Sequence, residues 1–267
     1  RALSALYPDS VDFLKGSNNI LALEYLNALY ELKSSIEPIT IPRVGAAYLS
    51  NDIHESIPSA SAIRTYLTAC QENPLPLLQK AIPPTVYEHF EKDLIHGFYP
   101  LFPKDLYPVL CYLLQSTSEK EVEACYDFPL HLFRRLKQQL KNSHRYEDLI
   151  ENSMSRNYTK TTVQRSLIHL LLHLSKEKAD EAIRNHYHSY IRVLGFKKEA
   201  AHLLHKIKET SALPLVTNVK DRLPGLNSYA QEVLHNEIYY TNLYQQFVQN
   251  KYGVNLKDEY RRELVIL

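Results

Sequence analysis

Lys15-Gly16-Ser17-Asn18-Asn19-Ile20-Leu21 is a short polar turn that runs straight into an apolar helix, continued by Glu24, Tyr25, Leu26 and Leu29. Leu23 and Leu26 are spaced for one buried face. Ser17, Asn18 and Asn19 are the residue types that cap a helix start, because their side-chain oxygens accept bonds from its unpaired N–H groups. The same start carries partial positive charge and unused donors, which suit a nucleotide phosphate or ribose. Taken alone, Ser-Asn-Asn reads as a cap and nothing more. The next segment gives the nucleotide reading its weight. A β-type run, Ile39-Thr40-Ile41, ends in Arg43-Val44-Gly45, with Pro38 and Pro42 placing it at a sheet edge or strand end. A polar loop then leads to Ser59-Ala60-Ser61-Ala62-Ile63-Arg64, where Ser59 or Ser61 caps a helix through Leu67 and Cys70. Helix, strand and loop form one α/β unit, and one unit cannot close a nucleotide-binding sheet.

The chain has 267 residues, 45% hydrophobic and 23% charged, the balance of a globular protein with its own core. Its net charge of +1 supplies no global attraction to nucleic acid, so any RNA affinity must come from local patches. The longest apolar run, Leu167 to Leu174, is interrupted by His169 and His173 and is far too short for a membrane span. Cys70, Cys111 and Cys125 are widely spaced and form neither a zinc pattern nor a CxxC pair. Reduced thiols in the cytoplasm are the expectation. Six glycines against 20 tyrosines suit packed helices.

Beyond Asn73-Pro74-Leu75-Pro76 and Pro83-Pro84 the pattern is helical. Ser118 and Glu121 spell a capping box. Asp127-Phe128-Pro129 opens a helix with Phe133, Leu136 and Leu140 on its apolar face. Its other face carries Arg134, Lys137 and Lys141, a basic stripe that is either a solvated face or a row of phosphate contacts along RNA. Thr161 or Thr162 caps a helix with Val163, Leu167, Leu170, Leu171 and Leu174 on one side. Arg156, Tyr158, Lys160 and Arg165 cluster at its start, a basic and aromatic group suited to an RNA backbone or a stacked base; a turn packed by Tyr158 is the plain alternative. His169 and His173 share a face, but no third ligand stands in an H-E-x-x-H arrangement, and no metal site is expected. Ser175 to Tyr190 and Lys197 to Thr210 read as helices, Leu213 to Val216 as a short strand, and Leu226 to Thr241 as a final amphipathic helix.

The succession NNIL (Asn18–Leu21), RVGAAY (Arg43–Tyr48) and SASAIR (Ser59–Arg64) resembles the bacterial tRNA(Met) cytidine acetate ligases, members of the HIGH-type nucleotidyltransferase superfamily. Ser155 to Arg165 is similar to that family's R-Y-T-x-T-R-x-x-R segment, with Asn157 inserted and Thr162 where the middle Arg is expected. Tyr190-Ile191-Arg192-Val193-Leu194-Gly195, treated as a structural helix–turn–helix joint, and Leu213-Pro214-Leu215-Val216 fit in order. The family's H-x-G-H turn is absent, and the chain begins with Arg1-Ala2-Leu3. The simplest expectation is a C-terminal fragment or processed product, inactive by itself.

The resemblance implies a mostly α protein: the remnant of a Rossmann-like α/β nucleotidyltransferase domain over residues 1–72, then an all-helical domain over 73–267 that binds tRNA. It implies ATP as substrate with Mg2+, acetate as the acid, and elongator tRNA(Met) as the acceptor. It places Asn18 on the nucleotide, Arg43 and the backbone of Val44 near adenine or ribose, and Ser59, Ser61 and Arg64 on phosphates, where an Arg fork matches phosphate oxygens. Two alternatives stand beside it: a non-catalytic RNA-binding helical module, and an adenylyltransferase for another small acid.

Overall fold

The computed structural model describes residues 16–41, 50–54, 57–70, 73–97 and 100–267. The chain divides into two compact units, 1–62 and 63–267.

In the first unit, α1 spans Ser17–Glu31. Its N-cap is Gly16, with no side-chain cap bond; Asn18 and Asn19 lie inside the first turn, so the expected Asn capping is not formed. The expected buried face is also absent. Leu23 is 39% and Leu26 46% exposed, and Ile20, Leu21 and Tyr25 are exposed as well. Helical spacing dictates which residues share a side, but burial needs a neighbour, and the described residues place none over this face. Ile39 and Ile41 form no strand and are 86% and 90% exposed. A β-type run becomes a strand only when another strand takes its backbone groups. The RVGAAY segment lies outside the described residues.

Of the two candidate serines, Ser59 caps α2, Ala60–Ala69. Its buried hydroxyl donates to the Ser50 carbonyl at 2.5 Å and accepts the Ala62 N–H at 3.0 Å.

The second unit is mostly helical. Short helices α3 (Leu75–Ala81) and α4 (Pro84–Ile95) begin at the proline pairs, where a missing N–H costs nothing in the first turn. Then come α5 (Tyr107–Ser116), α6 (Glu119–Ala124), α7 (Leu130–Gln139), α8 (Tyr146–Ser153) and α9 (Lys160–Leu171). The capping box forms as read: Ser118 Oγ accepts from the Glu121 N–H, and Glu121 accepts from the Ser118 N–H at 2.7 Å. Two caps fall elsewhere. Pro129 precedes α7, while Asp127 sits in the left-handed region at φ 48°. Thr159, not Thr161 or Thr162, caps α9, accepting the Thr162 N–H at 3.3 Å.

These helices enclose one core. Leu110, Leu114, Leu132, Phe133, Leu136, Leu149, Ile150, Val163 and Leu167 are at most 1% exposed. Burying each such side chain contributes about 1.5–3 kcal/mol. Phe128 meets Phe133 edge-on, ring centres 5.9 Å apart.

The last third adds α10 (Lys176–Arg184), α11 (Ala201–Thr210), α12 (Val219–Arg222) and α13 (Ser228–Tyr252). The final helix runs 11 residues beyond Thr241 and stops at Gly253, φ 70°, the left-handed stop that glycine tolerates. Ala230, Leu234 and Ile238 form its buried face with Val216, Val219 and Leu226. This region is not all-helical. The expected helix–turn–helix joint is instead two strands, β1 (Ile191–Arg192) and β2 (Gly195–Phe196). β1 pairs in parallel with β3 (Leu215–Val216), the strand the sequence indicates, and β2 pairs in parallel with β4 (Val265–Ile266). A Cβ on Gly195 would stand 2.6 Å from the Val265 carbonyl oxygen, so the close β2–β4 approach requires glycine.

Candidate functional site

Asn18 is exposed on the first turn of α1. Arg43 and Val44 lie outside the described residues. Ser59 holds the start of α2 and the Ser50 carbonyl, so its proton is already committed. Ser61 is half-buried in the first turn and Arg64 is exposed one turn on.

The basic stripe of α7 exists, but its charges differ in availability. Arg134 makes a two-bond pair with Glu119, Nε to Oε1 at 2.8 Å and Nη2 to Oε2 at 2.5 Å. That bond holds the Glu119 carboxyl below its usual range. Lys137 lies 5.2 Å over the Phe133 ring, with its ammonium 3.4 Å from the Thr117 carbonyl. Lys141 is exposed at the end of the stripe.

In the second cluster, Arg156 and Lys160 are exposed, and Tyr158 is packed against the core with its backbone closing a turn onto Ser155. Arg165 is paired with Asp127, Nε to Oδ2 at 2.6 Å. One residue escapes sequence reasoning. Arg135 donates through Nε to the Ser153 carbonyl and through Nη2 to those of Asn152 and Met154, all at 2.9 Å. It therefore gathers the unpaired carbonyls at the end of α8, where the helix dipole favours a cation. It also anchors the turn that carries Arg156. The Arg134-Arg135 doublet was its only trace, and nothing local distinguishes the two.

One predicted residue, Lys160, lines a cavity of about 190 Å3 in the second unit. Thr68 lines it from α2, with its Oγ1 bonded to the Arg64 carbonyl at 2.8 Å. Lys160 and Gln164 line it from α9, Glu147 and Glu151 from α8, and Phe102 and Lys104 from the chain before α5. That last wall is fixed from afar. The Phe102 N–H donates to Asp105 at 2.7 Å, Lys251 of α13 pairs with Asp105 at 2.7 Å, and the Tyr252 hydroxyl donates to the Pro100 carbonyl at 2.6 Å. Buried Tyr146 accepts from Gln164 Nε2 at 3.2 Å, and burial raises its phenol pKa. The acids and lysines around the cavity form no ion pair among the described residues.

A cavity of about 230 Å3 beside Arg192 has a different character. There Glu259, 2% exposed, is bonded by Arg192 and by Arg262, and Arg192 also bonds Glu237 at 2.9 Å. Arg192, Glu259 and Arg262 thereby satisfy one another. His169 places Nδ1 2.9 Å from the Tyr126 carbonyl, and His173 packs near Tyr239. Cys125 is buried, which pushes its thiol pKa up, while Cys70 and Cys111 are half-buried; none of the three is in a disulfide. No helix among the described residues is long and apolar enough to cross a membrane.

The HIGH Nucleotidyl Transferase family model matches residues 1–259, and the chain belongs to that family. More particularly, it is 32% identical over 255 residues to the tRNA(Met) cytidine acetate ligase of Acetivibrio thermocellus, covering 95% of this chain and 61% of the relative. The ligase of Halothermothrix orenii is 31% identical over 255 residues, covering 96% and 60%. Crystal structures of Thermotoga maritima TmcAL share the fold. The apo form has a TM-score of 0.81 at 21% identity, over 95% of this chain and 61% of that one. The form bound with alpha-thio ATP has a TM-score of 0.80 at 22% identity, over 95% and 60%. The chain thus spans about three-fifths of the length of the curated relatives it matches.

Proposed function

We propose that the chain acts in an ATP-dependent tRNA(Met) cytidine acetate ligase. The observation that carries this reading is the match to relatives of that name over 95% of the chain. ATP and acetate give acetyl-adenylate and pyrophosphate. The N4 amine of the wobble cytidine of elongator tRNA(Met) then attacks the acetyl carbon, AMP leaves, and the amine loses a proton. Acetate needs activation because hydroxide is a poor leaving group and AMP a good one. Negative charge grows on the phosphates as pyrophosphate departs, so fixed donors and cations favour that step.

In this reading residues 1–72 belong to a Rossmann-like nucleotide side and residues 73–267 to the tRNA side. Asn18 is assigned to the nucleotide, Arg43 and the backbone of Val44 to adenine or ribose, and Ser61 and Arg64 to phosphates. Ser59 acts through position, since its hydroxyl shapes the start of α2, whose first-turn N–H groups suit a phosphate. Mg2+ accompanies ATP. Lys141, Arg156, Tyr158 and Lys160 take RNA, while Arg134, Lys137 and Arg165 act mainly through the partners they hold. The nucleophile belongs to the RNA, so no protein Ser or Cys is needed for attack. The cytoplasm is the compartment this activity requires.

Acetate-dependent exchange of labelled pyrophosphate into ATP tests the reading in the product of the gene that contains this sequence. Exchange with acetate and not with propionate or without acid supports it. Exchange driven only by another acid makes the chain a different adenylyltransferase, and no exchange with any acid leaves RNA binding as the function.

A further inference from the structure

We infer that the 190 Å3 cavity between Thr68, Phe102, α8 and the start of α9 is a subsite for a single cytosine base of RNA. The inference rests on the tRNA reading above for its choice of ligand, but on this cavity for its residues. The volume lies below the roughly 300–1,000 Å3 that holds drug-sized ligands, so it fits one ring with the rest of the chain outside.

The walls suit a planar base. Phe102, Ile150 and Tyr146 form the apolar sides. Glu147 and Glu151 stand four apart on α8 and therefore share a face. Both are exposed and neither forms an ion pair among the described residues, while both lie in the field of Arg145. Acids and lysines around one cavity, with no ion pair between them, offer both kinds of partner that a nucleotide requires. A carboxylate accepts from the exocyclic amine of cytosine and repels the O4 oxygen that uracil presents there. Lys104, which lies 5.5 Å over the Phe102 ring, and Lys160 line the same cavity and supply cations for the flanking phosphates. Gln164, held by Tyr146 through its Nε2, keeps its Oε1 as a further acceptor. The cavity also lies one turn along α2 from Arg64, through the Thr68–Arg64 bond. The base subsite is thereby tied to the helix assigned to phosphate.

The test uses fluorescein-labelled pentaribonucleotides, all uridine or with one central cytidine, and follows anisotropy with the 267-residue chain at low salt. The wild type should bind the cytidine RNA about tenfold more tightly, the lower range for one good base contact. The double variant Glu147→Gln, Glu151→Gln should lose that preference, because an amide also donates to O4. Lys160→Ala should weaken both RNAs equally and reduce the salt slope. Circular dichroism melts should stay within a few degrees of wild type, which separates lost recognition from lost fold. Equal binding of the two RNAs by wild type, no saturable binding, or a preference that survives the double variant would overturn the inference. Neither ATP nor acetate is present, so the two readings fail separately. Preference without acetate activation keeps the subsite and removes the ligase, and activation without preference does the reverse.

Discussion

Arg134 and Glu119 form a bidentate pair 15 residues apart in sequence, joining α7 to the first turn of α6. The outermost cation of the predicted basic stripe is therefore already matched. Arg134→Gln should change RNA affinity by less than about twofold, since exposed ion pairs and the charges within them contribute little. Lys141→Ala and Arg156→Ala should each weaken binding more and lower the salt slope by about one. Anisotropy titrations at two or more salt concentrations check this. A large loss from Arg134→Gln alone would reverse the ranking.

Arg135 carries a structural consequence. Its fork holds three carbonyls at the end of α8, and hydrogen bonds to charged groups contribute about 1.5–3 kcal/mol. Arg135→Ala should cost about 2 kcal/mol in urea unfolding. Arg135→Lys should recover little, because a single ammonium cannot reproduce the fork.

Glu259 is buried between Arg192 and Arg262. Glu259→Ala leaves Arg192 with Glu237 as its one remaining carboxylate, so it should destabilise by about 3 kcal/mol, the lower end for breaking a buried pair. A milder loss would mean that water reaches Arg192 through the adjoining cavity.

Acid should destabilise the fold in a defined window. Glu119, held by Arg134, Glu121, held by Ser118, and Asp148, held by Arg145, all have folded pKa values lowered from their ordinary values of 4.5, 4.5 and 3.8. Below those values the unfolded chain binds more protons, so stability rises with pH. The contribution is full above about pH 5 and is lost as pH falls through the lowered folded values. Urea midpoints measured from pH 7 to pH 3 should stay flat in this respect down to about 5 and then fall. Glu119→Gln should reduce the drop.

Gly195→Ala tests the β2–β4 approach. The added methyl meets the Val265 carbonyl oxygen at 2.6 Å and must push the backbone aside, a cost of about 1–3 kcal/mol. Thermal unfolding should show it.

What the sequence makes legible follows the range of each interaction. The Ser118–Glu121 capping box and the apolar face of α9 are settled within one to three turns, and both appear as read. The cap of α9 falls at Thr159 because three neighbouring threonines all qualify, and only the path of the turn from Ser155 decides among them. Strands β1 and β2 leave no local pattern. Each has two residues and pairs with partners at Leu215 or Val265, far along the chain. The run Ile39–Ile41 has the right composition and no partner among the described residues. Among candidate site residues, helical spacing correctly puts Arg134, Lys137 and Lys141 along one helix and its end. It is silent on Glu119 and Asp127, which neutralise Arg134 and Arg165 from 15 and 38 residues away. The cavity joining Thr68 to Lys160 is assembled from four separate stretches, so no single motif announces it.

The most direct measurement incubates the product of the gene containing this sequence with ATP, labelled acetate and an unmodified elongator tRNA(Met) transcript, then digests the RNA to nucleosides. The account predicts label in N4-acetylcytidine at the wobble position, dependent on ATP, and absent when that cytidine is replaced by uridine. Label that stays in acetyl-adenylate and never reaches RNA, or no label in either, would contradict it.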